Sequence, residues 1–332
     1  MSEQRTLSLG FREFQPSSYE RLVAISNGNY PDYPISVRER RSRDESMART
    51  NHLLRRLECI DLEQDQTVGF GEIFNLPGMF HPRKFMINIL VDPERQGTGI
   101  GRAIYNRISE ELLDLNAILV WAMSKEDLPR RIEFFRRRGF AEKSRSWESR
   151  LDLTMADITK FGGYVEKALK EGITFTTLAE ERPRGEDSLR KIHELVQLIT
   201  ADMPREAAFT PLTFEQWETF SLKNPQLLPE GYFIAKDGPN YVGMSNVHRI
   251  DTECRVLNQD DTGVTREYRG RGIATALKLK VIEFGKKNGY RTIKTWNDSS
   301  NAPMLAVNTK LGFKRQVGWI MVEKILRPES GV

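Results

Sequence analysis

The stretch "EYRGRGIATALK" (Glu267–Lys278) puts two glycines and two additional arginines into one short turn that runs directly into an apolar pattern typical of a helix. Gly270 and Gly272 have no Cβ, so the backbone at both positions can adopt positive φ and approach a ligand closely. The first amide groups of a helix have no partner within it, and the helix dipole is positive at that end. The turn therefore predicts a cradle for an anion, with phosphate as the expected guest.

The same pattern occurs earlier in the chain, in "DPERQGTGIGRAIYNRI" (Asp92–Ile108). Counterparts lie 173 positions apart, namely Gln96 and Arg269, Gly99 and Gly272, Gly101 and Ala274. One register held over so many residues indicates two copies of one domain. We place the boundary near residue 152, which gives an N-terminal domain over 1–152 and a C-terminal domain over 153–332.

Both copies show the same order of elements. A helical pattern is followed by strand-like runs rich in β-branched and aromatic residues, then by the glycine turn and another helix. In the second copy the runs are Tyr232–Asp237, Tyr241–Arg249 and Arg255–Val264, and the helix after the turn starts at Ile273. Met155–Gly172 reads as a linker helix. The predicted fold class is α+β, with two tandem domains that each have a mixed, mostly antiparallel sheet flanked by helices.

Composition excludes several classes of protein. The 332 residues are 39% hydrophobic and 29% charged, and the net charge of +4 is spread over both halves, so we expect no nucleic-acid partner. Cys59 and Cys254 are isolated and the histidines are scattered, so neither a disulfide nor a metal site is expected. No apolar run approaches the roughly 18 residues that a membrane span needs, and the start of the chain has no signal-peptide core. We predict a metal-free cytoplasmic protein that does not contact membranes.

Two common phosphate-binding motifs do not fit the sequence. A P-loop requires GxxxxGK followed by Ser or Thr, and neither copy has it. The dinucleotide fingerprint GxGxxG belongs to a parallel βαβ unit, whereas "GTGIGRA" (97–103) follows a strand in an antiparallel run and lacks the third glycine. A pyrophosphate ligand outside those folds remains.

At two places the second copy resembles the GNAT acetyltransferase superfamily. The turn is similar to the family's acyl-coenzyme A motif, Q/R-x-x-G-x-G/A, and "NAPMLAVNTKLGF" (Asn301–Phe313) is similar to its closing N…GF segment. The first copy matches the first of these motifs, so nearly the whole chain resembles a tandem GNAT protein. The resemblance implies that acetyl-CoA is the co-substrate, that the loop amides hold its pyrophosphate, and that the strand ending at Val264 pairs with its pantetheine arm.

The resemblance also implies which residues bind the coenzyme. In the second copy they are Val264, Thr265, Arg269, Gly270, Arg271, Gly272, Ile273, Ala274 and Asn301. In the first copy they are Val91, Gln96, Gly97, Thr98, Gly99, Ile100 and Gly101. We expect Arg269 and Arg271 to add charge-assisted hydrogen bonds to phosphate.

In this family, proton-transfer residues commonly lie four and six positions before the valine that ends the strand. The resemblance thus points to Asp260 and Asn258 in the second copy, but to Ile87 and Phe85 in the first. Alternate residues share a face of a strand, so Asn258 and Asp260 should face the acceptor while Asp261 faces away. Asp260 is the predicted base that takes a proton from the attacking ammonium group. The alternative is that Asp260 has no catalytic role and only caps or solvates the edge of the strand.

The closing segment also differs between the copies. Asn301 has Leu128 as its counterpart, and the tyrosine that often protonates the departing thiolate in this family is replaced by Asn308 and Phe135. The resemblance therefore implies an acetyltransferase that moves an acetyl group from acetyl-CoA to a primary amine of a small molecule or peptide, in the C-terminal half. The alternative is a non-catalytic sensor of acyl-CoA or a scaffold. We expect a monomer or a weak dimer.

The acceptor side is less clearly marked in the sequence. Ala201–Phe220 lies between a helix and a strand, where this family often forms its acceptor pocket, and substitutions at Phe209 or Trp217 test that role. Trp217 is itself most simply a core residue. His248 ends a strand beside the expected site and is a candidate contact for the acceptor.

Overall fold

The computed structural model describes residues 8–328, which divide into two compact units. Unit 1 contains the described residues of Met1–Ser124, Arg130–Glu142 and Met321–Val332. Unit 2 contains Lys125–Pro129 and Lys143–Ile320. The domain boundary near residue 152 stays a prediction about the repeat in the sequence.

The regular elements follow one another along the chain. Up to residue 152 they are β1 (Leu9–Glu13), α1 (Tyr19–Asn29), α2 (Val37–Arg49), β2 (Leu54–Asp61), β3 (Gln66–Phe74), β4 (Lys84–Val91), α3 (Ile100–Asp114), β5 (Leu119–Lys125), α4 (Pro129–Arg136) and β6 (Ala141–Asp152). After it they are α5 (Gly163–Lys170), β7 (Ile173–Thr177), α6 (Leu178–Glu181), α7 (Glu186–Ala201), α8 (Phe214–Trp217), β8 (Phe233–Asp237), β9 (Asn240–Arg249), β10 (Val256–Val264), α9 (Ile273–Lys287), β11 (Thr292–Asp298), α10 (Ala302–Lys310) and β12 (Lys314–Ile325). Short 3₁₀ turns lie between several of them.

The sheet of unit 1 has the strand order β1-β2-β3-β4-β5, and β5 is followed by the end of β12. Neighbours from β1 to β4 are antiparallel, whereas β4 and β5 are parallel. The sheet of unit 2 has the order β12-β6-β11-β10-β9-β8-β7, and from β6 to β7 its neighbours are antiparallel except for β10 with β11. The predicted fold class, a mixed and mostly antiparallel sheet with helices in each of two tandem domains, is confirmed.

Helix α9 shows why the predicted helix forms. Ile273, Leu277 and Val281 recur at helical spacing and are all buried against the sheet of unit 2. Full burial of one such side chain contributes about 1.5–3 kcal/mol, so the stripe fixes the helix to the strands beneath it. The helix ends where Gly289 takes a left-handed conformation with φ of 76°.

The predicted linker helix is shorter than expected. A 3₁₀ turn covers Thr159–Phe161, and the α-helix α5 begins only at Gly163. Two adjacent glycines weaken a continuous helix at this point, because glycine costs about 1 kcal/mol relative to alanine in a helix interior.

Candidate coenzyme and acceptor site

The glycine turn before α9 has the geometry of an anion cradle. Gly270 and Gly272 adopt φ of 76° and 85°, in the left-handed region that favours glycine. Within the described residues, the amide groups of 270–275 donate to no acceptor. They lie at the positive end of α9, so an anion there would meet several hydrogen-bond donors together.

The corresponding turn in unit 1 has the same backbone shape. Gly97 and Gly99 adopt φ of 83° and 95°, and α3 begins directly after them. In the part of the chain that the structure describes, the amides of 97–101 likewise donate to no acceptor. Backbone geometry at the turns therefore does not separate the two copies.

The two motif arginines are already paired within the protein. Arg269 donates to Asp202 Oδ2 at 2.6 Å and to the carbonyl oxygen of Val264 at 3.1 Å. Arg271 donates to Glu171 Oε2 at 3.1 Å. A phosphate group would have to compete with these carboxylates, so the unpaired amides are the more available donors at this turn.

Arg269 and its counterpart Gln96 occupy equivalent structural positions. Gln96 donates to Asn29 Oδ1 at 2.9 Å and approaches the carbonyl oxygen of Val91 at 3.5 Å. In both units this side chain therefore links the turn to the strand before it and to a residue at the end of a helix. Hydrogen bonds from Arg266 and Arg269 lower the pKa of Asp202 to about 2, so this link is charged at neutral pH.

The side chain of Tyr164, on α5, packs against the turn of unit 2. A Cβ atom placed on Gly272 would lie 2.7 Å from Tyr164 Cδ1, closer than real side chains approach. The Tyr164 hydroxyl also accepts a hydrogen bond from Lys310. By contrast, nothing lies within 4 Å of a Cβ placed on Gly270. The two glycines are therefore needed for different reasons, Gly272 for space and conformation and Gly270 for conformation alone.

The strands beside the turn separate from each other before they reach it. β10 pairs with β11 only over Val256–Gln259, so residues 260–264 have no partner on β11. In unit 1, β4 pairs with β5 only over Lys84–Met86. Free backbone groups along a strand edge can pair with an extended ligand, as a peptide does when it adds to a sheet.

A β-bulge distinguishes β10 from its counterpart in unit 1. Gln259 pairs with Val247 and Thr262 with Ser245, so three steps on β10 match two steps on β9. β4 pairs with β3 without any register shift. The strand of unit 2 therefore contains one additional residue at Asp260–Asp261.

The bulge corrects two predictions about this strand. Asn258 pairs with His248 as Met86 pairs with Phe74, so Met86 and not Phe85 is its structural counterpart. Asp261 was expected to point away from Asn258 by simple alternation. The additional residue changes the alternation, and the charge of Arg205 acts on Asp261 in the structure.

The two aspartates at the bulge have different environments. The Asp260 side chain is 54% exposed, and its Oδ2 lies 3.9 Å from His248 Nδ1. Asp261 is partly buried, and desolvation together with the negative charge of Asp260 raises its pKa to about 7, against the opposing effect of Arg205. Asp261 therefore combines the chemistry of a carboxylate with a pKa suited to proton transfer near neutral pH.

Near the bulge, three polar side chains from β9 and β10 each have one buried atom without a hydrogen-bond partner among the described residues. Asn246 Oδ1, His248 Nε2 and Asn258 Oδ1 are buried atoms without a hydrogen-bond partner among the described residues. Buried polar atoms usually have partners, so these three mark a region whose hydrogen bonding is incomplete in the protein alone.

The asparagines of the closing segment make their hydrogen bonds around α10 and not at the bulge. Asn301 caps α10, where its Oδ1 accepts from the amide of Met304 at 3.3 Å. Asn308 is buried and donates to Asn297 Oδ1 at 2.6 Å, while its own Oδ1 has no partner among the described residues. Phe135, its counterpart, is part of the buried core of unit 1.

The predicted acceptor residues of Ala201–Phe220 divide into two groups. Trp217 is 2% exposed and belongs to a hydrophobic core cluster with α7, as its interpretation as a core residue predicts. Phe209 stays a candidate, because it is partly exposed and its ring lies 4.5 Å from the guanidinium carbon of Arg205. Arg205 also lines a polar pocket in unit 2 with Lys143, Ser144, Pro204, Glu206, Asp298, Ser299 and Ser300.

In unit 1, a single side chain bridges the separated strands. Arg131, on α4, donates to the carbonyl oxygen of Ile89 on β4 at 2.6 Å and to that of Met123 on β5 at 3.3 Å. It also donates to Asn88 Oδ1 at 3.0 Å. The backbone edge that is free in unit 2 is therefore occupied by a guanidinium group in unit 1.

Unit 1 also contains a buried charge cluster on β2, β3 and α2. Glu72 accepts from Arg40, from Arg56 Nε at 2.7 Å and from Asn88 Nδ2 at 3.3 Å. Although desolvation opposes it, the surrounding guanidinium groups hold the pKa of Glu72 below its usual range. Arg40, from the arginine-rich run "RERRSR" (38–43), is therefore buried in α2 and not solvated.

Some features are absent from the part of the chain that the structure describes. No helix in residues 8–328 is long and apolar enough to cross a membrane. The same residues contain no group of three or more His, Cys, Asp or Glu side chains placed to hold a metal ion.

Comparisons with known proteins agree with the fold and the repeat. The chain matches the model of the acetyltransferase (GNAT) family twice, over residues 20–140 and 192–313. A mycothiol acetyltransferase of Pseudarthrobacter chlorophenolicus is 21% identical over 251 residues, which are 74% of this chain and 71% of that protein. An uncharacterized N-acetyltransferase of Methanocaldococcus jannaschii is 31% identical over 108 residues, but the match spans only 29% of this chain and 46% of that protein.

A solved structure resembles the whole chain. A tandem GNAT protein from the clavulanic acid biosynthesis pathway superposes with a TM-score of 0.73 at 19% identity, over 97% of this chain and 100% of that one. At this level of identity the likeness concerns the fold. Because the family model covers most of both halves, the chain belongs to the GNAT acetyltransferase family and is a tandem member of it.

Proposed function

We propose that the protein transfers an acetyl group from acetyl-CoA to a primary amine of a small molecule or peptide, by direct attack in unit 2. The observation that carries this proposal is the arrangement along β10. Its bulge presents two carboxylates, its following residues have a free backbone edge, and it ends at a turn with unpaired amides. An acyl donor with a long polar arm and a pyrophosphate requires that same order of groups.

The residues of unit 2 fit coenzyme A at both ends of this edge. The amides of Gly270–Ala274 would hold the pyrophosphate, and the backbone of Gly263–Val264 would pair with the pantetheine arm. Thr265 supports this arrangement indirectly, because its amide donates to the carbonyl oxygen of Val242 at 2.9 Å. Acetyl-CoA supplies an activated thioester, and no metal takes part in the proposal.

The two aspartates would handle the proton of the acceptor. An amine is protonated at neutral pH and must lose a proton before its nitrogen can attack a carbonyl carbon. We assign proton acceptance to the Asp260–Asp261 pair, in which burial and the charge of Asp260 raise the pKa of Asp261 to about 7. The sequence pointed to Asp260 as the base, with Asn258 beside it, and the raised pKa of Asp261 supports Asp261 as the stronger candidate. Asn258 would take part through its buried amide oxygen, which lacks a donor.

The polar pocket beside Arg205 is our candidate for the entrance of the acceptor. Its lining is hydrophilic, with Glu206, Asp298 and three serines. Arg205 also acts electrostatically on Asp261, so the pocket and the proposed base share a residue. This composition favours a polar amine over an apolar one.

We further propose that unit 1 neither binds the coenzyme nor turns it over. Its turn residues Gln96, Gly97, Thr98, Gly99, Ile100 and Gly101 keep their shape, but the strand edge ending at Val91 is bridged by Arg131. The face of β3 that corresponds to the acceptor side is occupied by Glu72 and its guanidinium partners. The protein is proposed to act as a cytoplasmic monomer or weak dimer.

An acyl-CoA sensor is the second candidate, because Asn308 stands where the family commonly has an acid. Release of free thiol from acetyl-CoA, measured with a panel of polar primary amines, separates the two candidates. The enzyme should release thiol in proportion to the acetylated amine that mass spectrometry detects. Tight binding of acetyl-CoA with thiol release no faster than hydrolysis, for every amine, would instead support the sensor.

A substitution in unit 1 tests the role of Arg131. Arg131→Met installs the residue found at the corresponding position of the other copy, Met304, and frees the carbonyl oxygen of Ile89. We expect calorimetric titration to show an additional acetyl-CoA site, with kcat unchanged. If Arg131→Met and the wild type have the same number of sites, Arg131 is not what closes this edge. Arg130→Met, at the neighbouring position, serves as the matched control.

A further inference from the structure

One buried hydroxyl group on the neighbouring strand β9 holds the bulge in β10. Ser245, on β9, accepts a hydrogen bond from Gln259 Nε2 at 2.8 Å, and its Oγ lies 2.7 Å from Thr262 Oγ1. Gln259 and Thr262 are the two residues between which the register shifts. The same serine therefore binds both flanks of the bulge.

This contact is fully internal. The exposed fractions of Ser245, Gln259 and Thr262 are 0%, 2% and 8%. Hydrogen bonds made away from water are costly to lose, because a buried donor or acceptor without a partner pays its full desolvation penalty. The bulge is thus favoured over a regular strand by partners that a register shift would separate.

A buried lysine extends the contact to α9. Lys278 is 1% exposed and donates to Gln259 Oε1. A charged lysine side chain can only donate, so the protonated form of Lys278 requires the amide oxygen of Gln259 to face it. The amide nitrogen of Gln259 must then point to Ser245.

Among its described residues, unit 1 has no equivalent of this chain of hydrogen bonds. Pairing positions Ser245, Gln259 and Thr262 correspond to Gly71, Ile87 and Ile89. A Cβ placed on Gly71 would lie 2.6 Å from Ile108 Cδ1, so a side chain there would require Ile108 to shift. The unit without the serine also has the strand without the bulge, which links the two features.

We infer that Ser245 is a positioning residue for acetyl transfer, because its hydroxyl holds the bulge that presents Asp260 and Asp261 to the acceptor. The inference rests on the function proposed above. Ser245 does not touch the reacting atoms itself. Its effect on the reaction passes through the placement of the two carboxylates, so it should alter catalysis without altering coenzyme binding.

The carboxylates report on that placement through their titration. The groups facing Asp261 are Asp260 on its own strand, Arg205 after α7 and the phenol of Tyr232 before β8, while His248 of β9 lies close to Asp260. If the bulge relaxes, Asp261 becomes more exposed and moves relative to these groups. Its pKa should then fall toward the ordinary value of an aspartate.

The test compares Ser245→Ala with the wild type. We expect kcat to fall about 10-fold with KM for acetyl-CoA unchanged, and the acidic limb of the kcat profile to move to lower pH by about one unit or more. A variant with unchanged kcat and an unchanged pH profile would overturn the inference. A lower kcat with the wild-type pH profile would also overturn it, since a general loss of packing produces that result.

A second pair of variants covers the case in which Ser245→Ala does not fold. Thr262→Val removes one of the two hydroxyl contacts and keeps the shape, whereas Thr262→Ser keeps the hydroxyl and loses a methyl group. Only the valine variant should shift the pH profile. Equal profiles for the two would contradict the inference.

A measurement that does not use activity separates this inference from the proposed function. Carbon-detected NMR can follow the titration of the Asp261 carboxyl carbon in the wild type, Ser245→Ala and both Thr262 variants. If no amine is acetylated, the proposed function fails. A lower Asp261 pKa in Ser245→Ala would still support the inference that Ser245 holds the bulge in place. An unchanged Asp261 pKa in Ser245→Ala would overturn the inference about Ser245 even if the enzyme is active.

Discussion

Gly272→Glu is expected to reduce acetyl transfer below detection and to abolish binding of acetyl-CoA. The new side chain must adopt φ near 85°, its Cβ would lie 2.7 Å from Tyr164 Cδ1, and its carboxylate would occupy a site built for an anion. Initial rates of thiol release and the thermal shift caused by acetyl-CoA measure both effects. The matched control is Gly99→Glu, at the corresponding position of unit 1, which should retain wild-type activity.

A gentler pair of variants isolates charge from shape at the same turn. A Cβ placed on Gly270 would meet nothing within 4 Å, and aspartate and asparagine tolerate its left-handed conformation better than most residues. Gly270→Asp should weaken acetyl-CoA binding about 10- to 100-fold through repulsion, while Gly270→Asn stays close to wild type. Equal affinities for the two variants would mean that no phosphate lies at this turn.

Asp261→Asn is expected to lower kcat by about 100-fold and to remove the acidic limb of the pH profile. With a pKa of about 7, Asp261 keeps its proton in more acidic solution and cannot accept another, so the wild-type rate should rise with pH through that region. The measurement is kcat between pH 5.5 and 9 at saturating acetyl-CoA. A wild-type profile without a limb near pH 7, or a fully active Asp261→Asn, contradicts the assignment.

The raised pKa of Asp261 also predicts that the stability of the folded protein depends on pH. Because the pKa of Asp261 is raised on folding, the folded state holds the proton more tightly than the unfolded chain does. Stability from this group is therefore present at low pH and is lost as the pH rises from about 4 to 7. Asp261→Asn should gain thermal stability relative to the wild type at pH 8 but not at pH 4.

Asp260 provides the comparison that decides between the two carboxylates. Asp260→Asn removes a negative charge beside Asp261, so the acidic limb should move to lower pH while much of kcat is retained. The sequence predicted Asp260 as the base, which instead requires Asp260→Asn to lose about 100-fold and Asp261→Asn to lose little. The two variants thus have opposite outcomes under the two assignments.

Much of the fold could be predicted because its signals are local. The helical spacing of Ile273, Leu277 and Val281 is enough to predict α9, and Gly270 and Gly272 indicate the turn before it. The repeat then identifies two domains without any knowledge of contacts. These features depend on residues that are close together in the sequence.

The parts that were missed depend on distant residues. The bulge at Asp260–Asp261 follows from hydrogen bonds to Ser245 on another strand, and simple alternation therefore assigned Asp261 to the wrong face. Arg131 appears in the sequence as one of several arginines, and only the structure places it on the carbonyl oxygens of Ile89 and Met123. The sequence did contain one signal for the bulge, because β9 has Ser245 where the corresponding position of β3 is Gly71. That difference could be interpreted only once the pairing register of the strands was known.

The central claim is that a single coenzyme site, in unit 2, serves the reaction. Calorimetric titration of acetyl-CoA into the wild type, Gly272→Glu and Gly99→Glu tests it most directly. We predict a single site in the wild type, none in Gly272→Glu and a single site of unchanged affinity in Gly99→Glu. Retention of the site in Gly272→Glu together with its loss in Gly99→Glu would place the coenzyme in unit 1 and contradict the account.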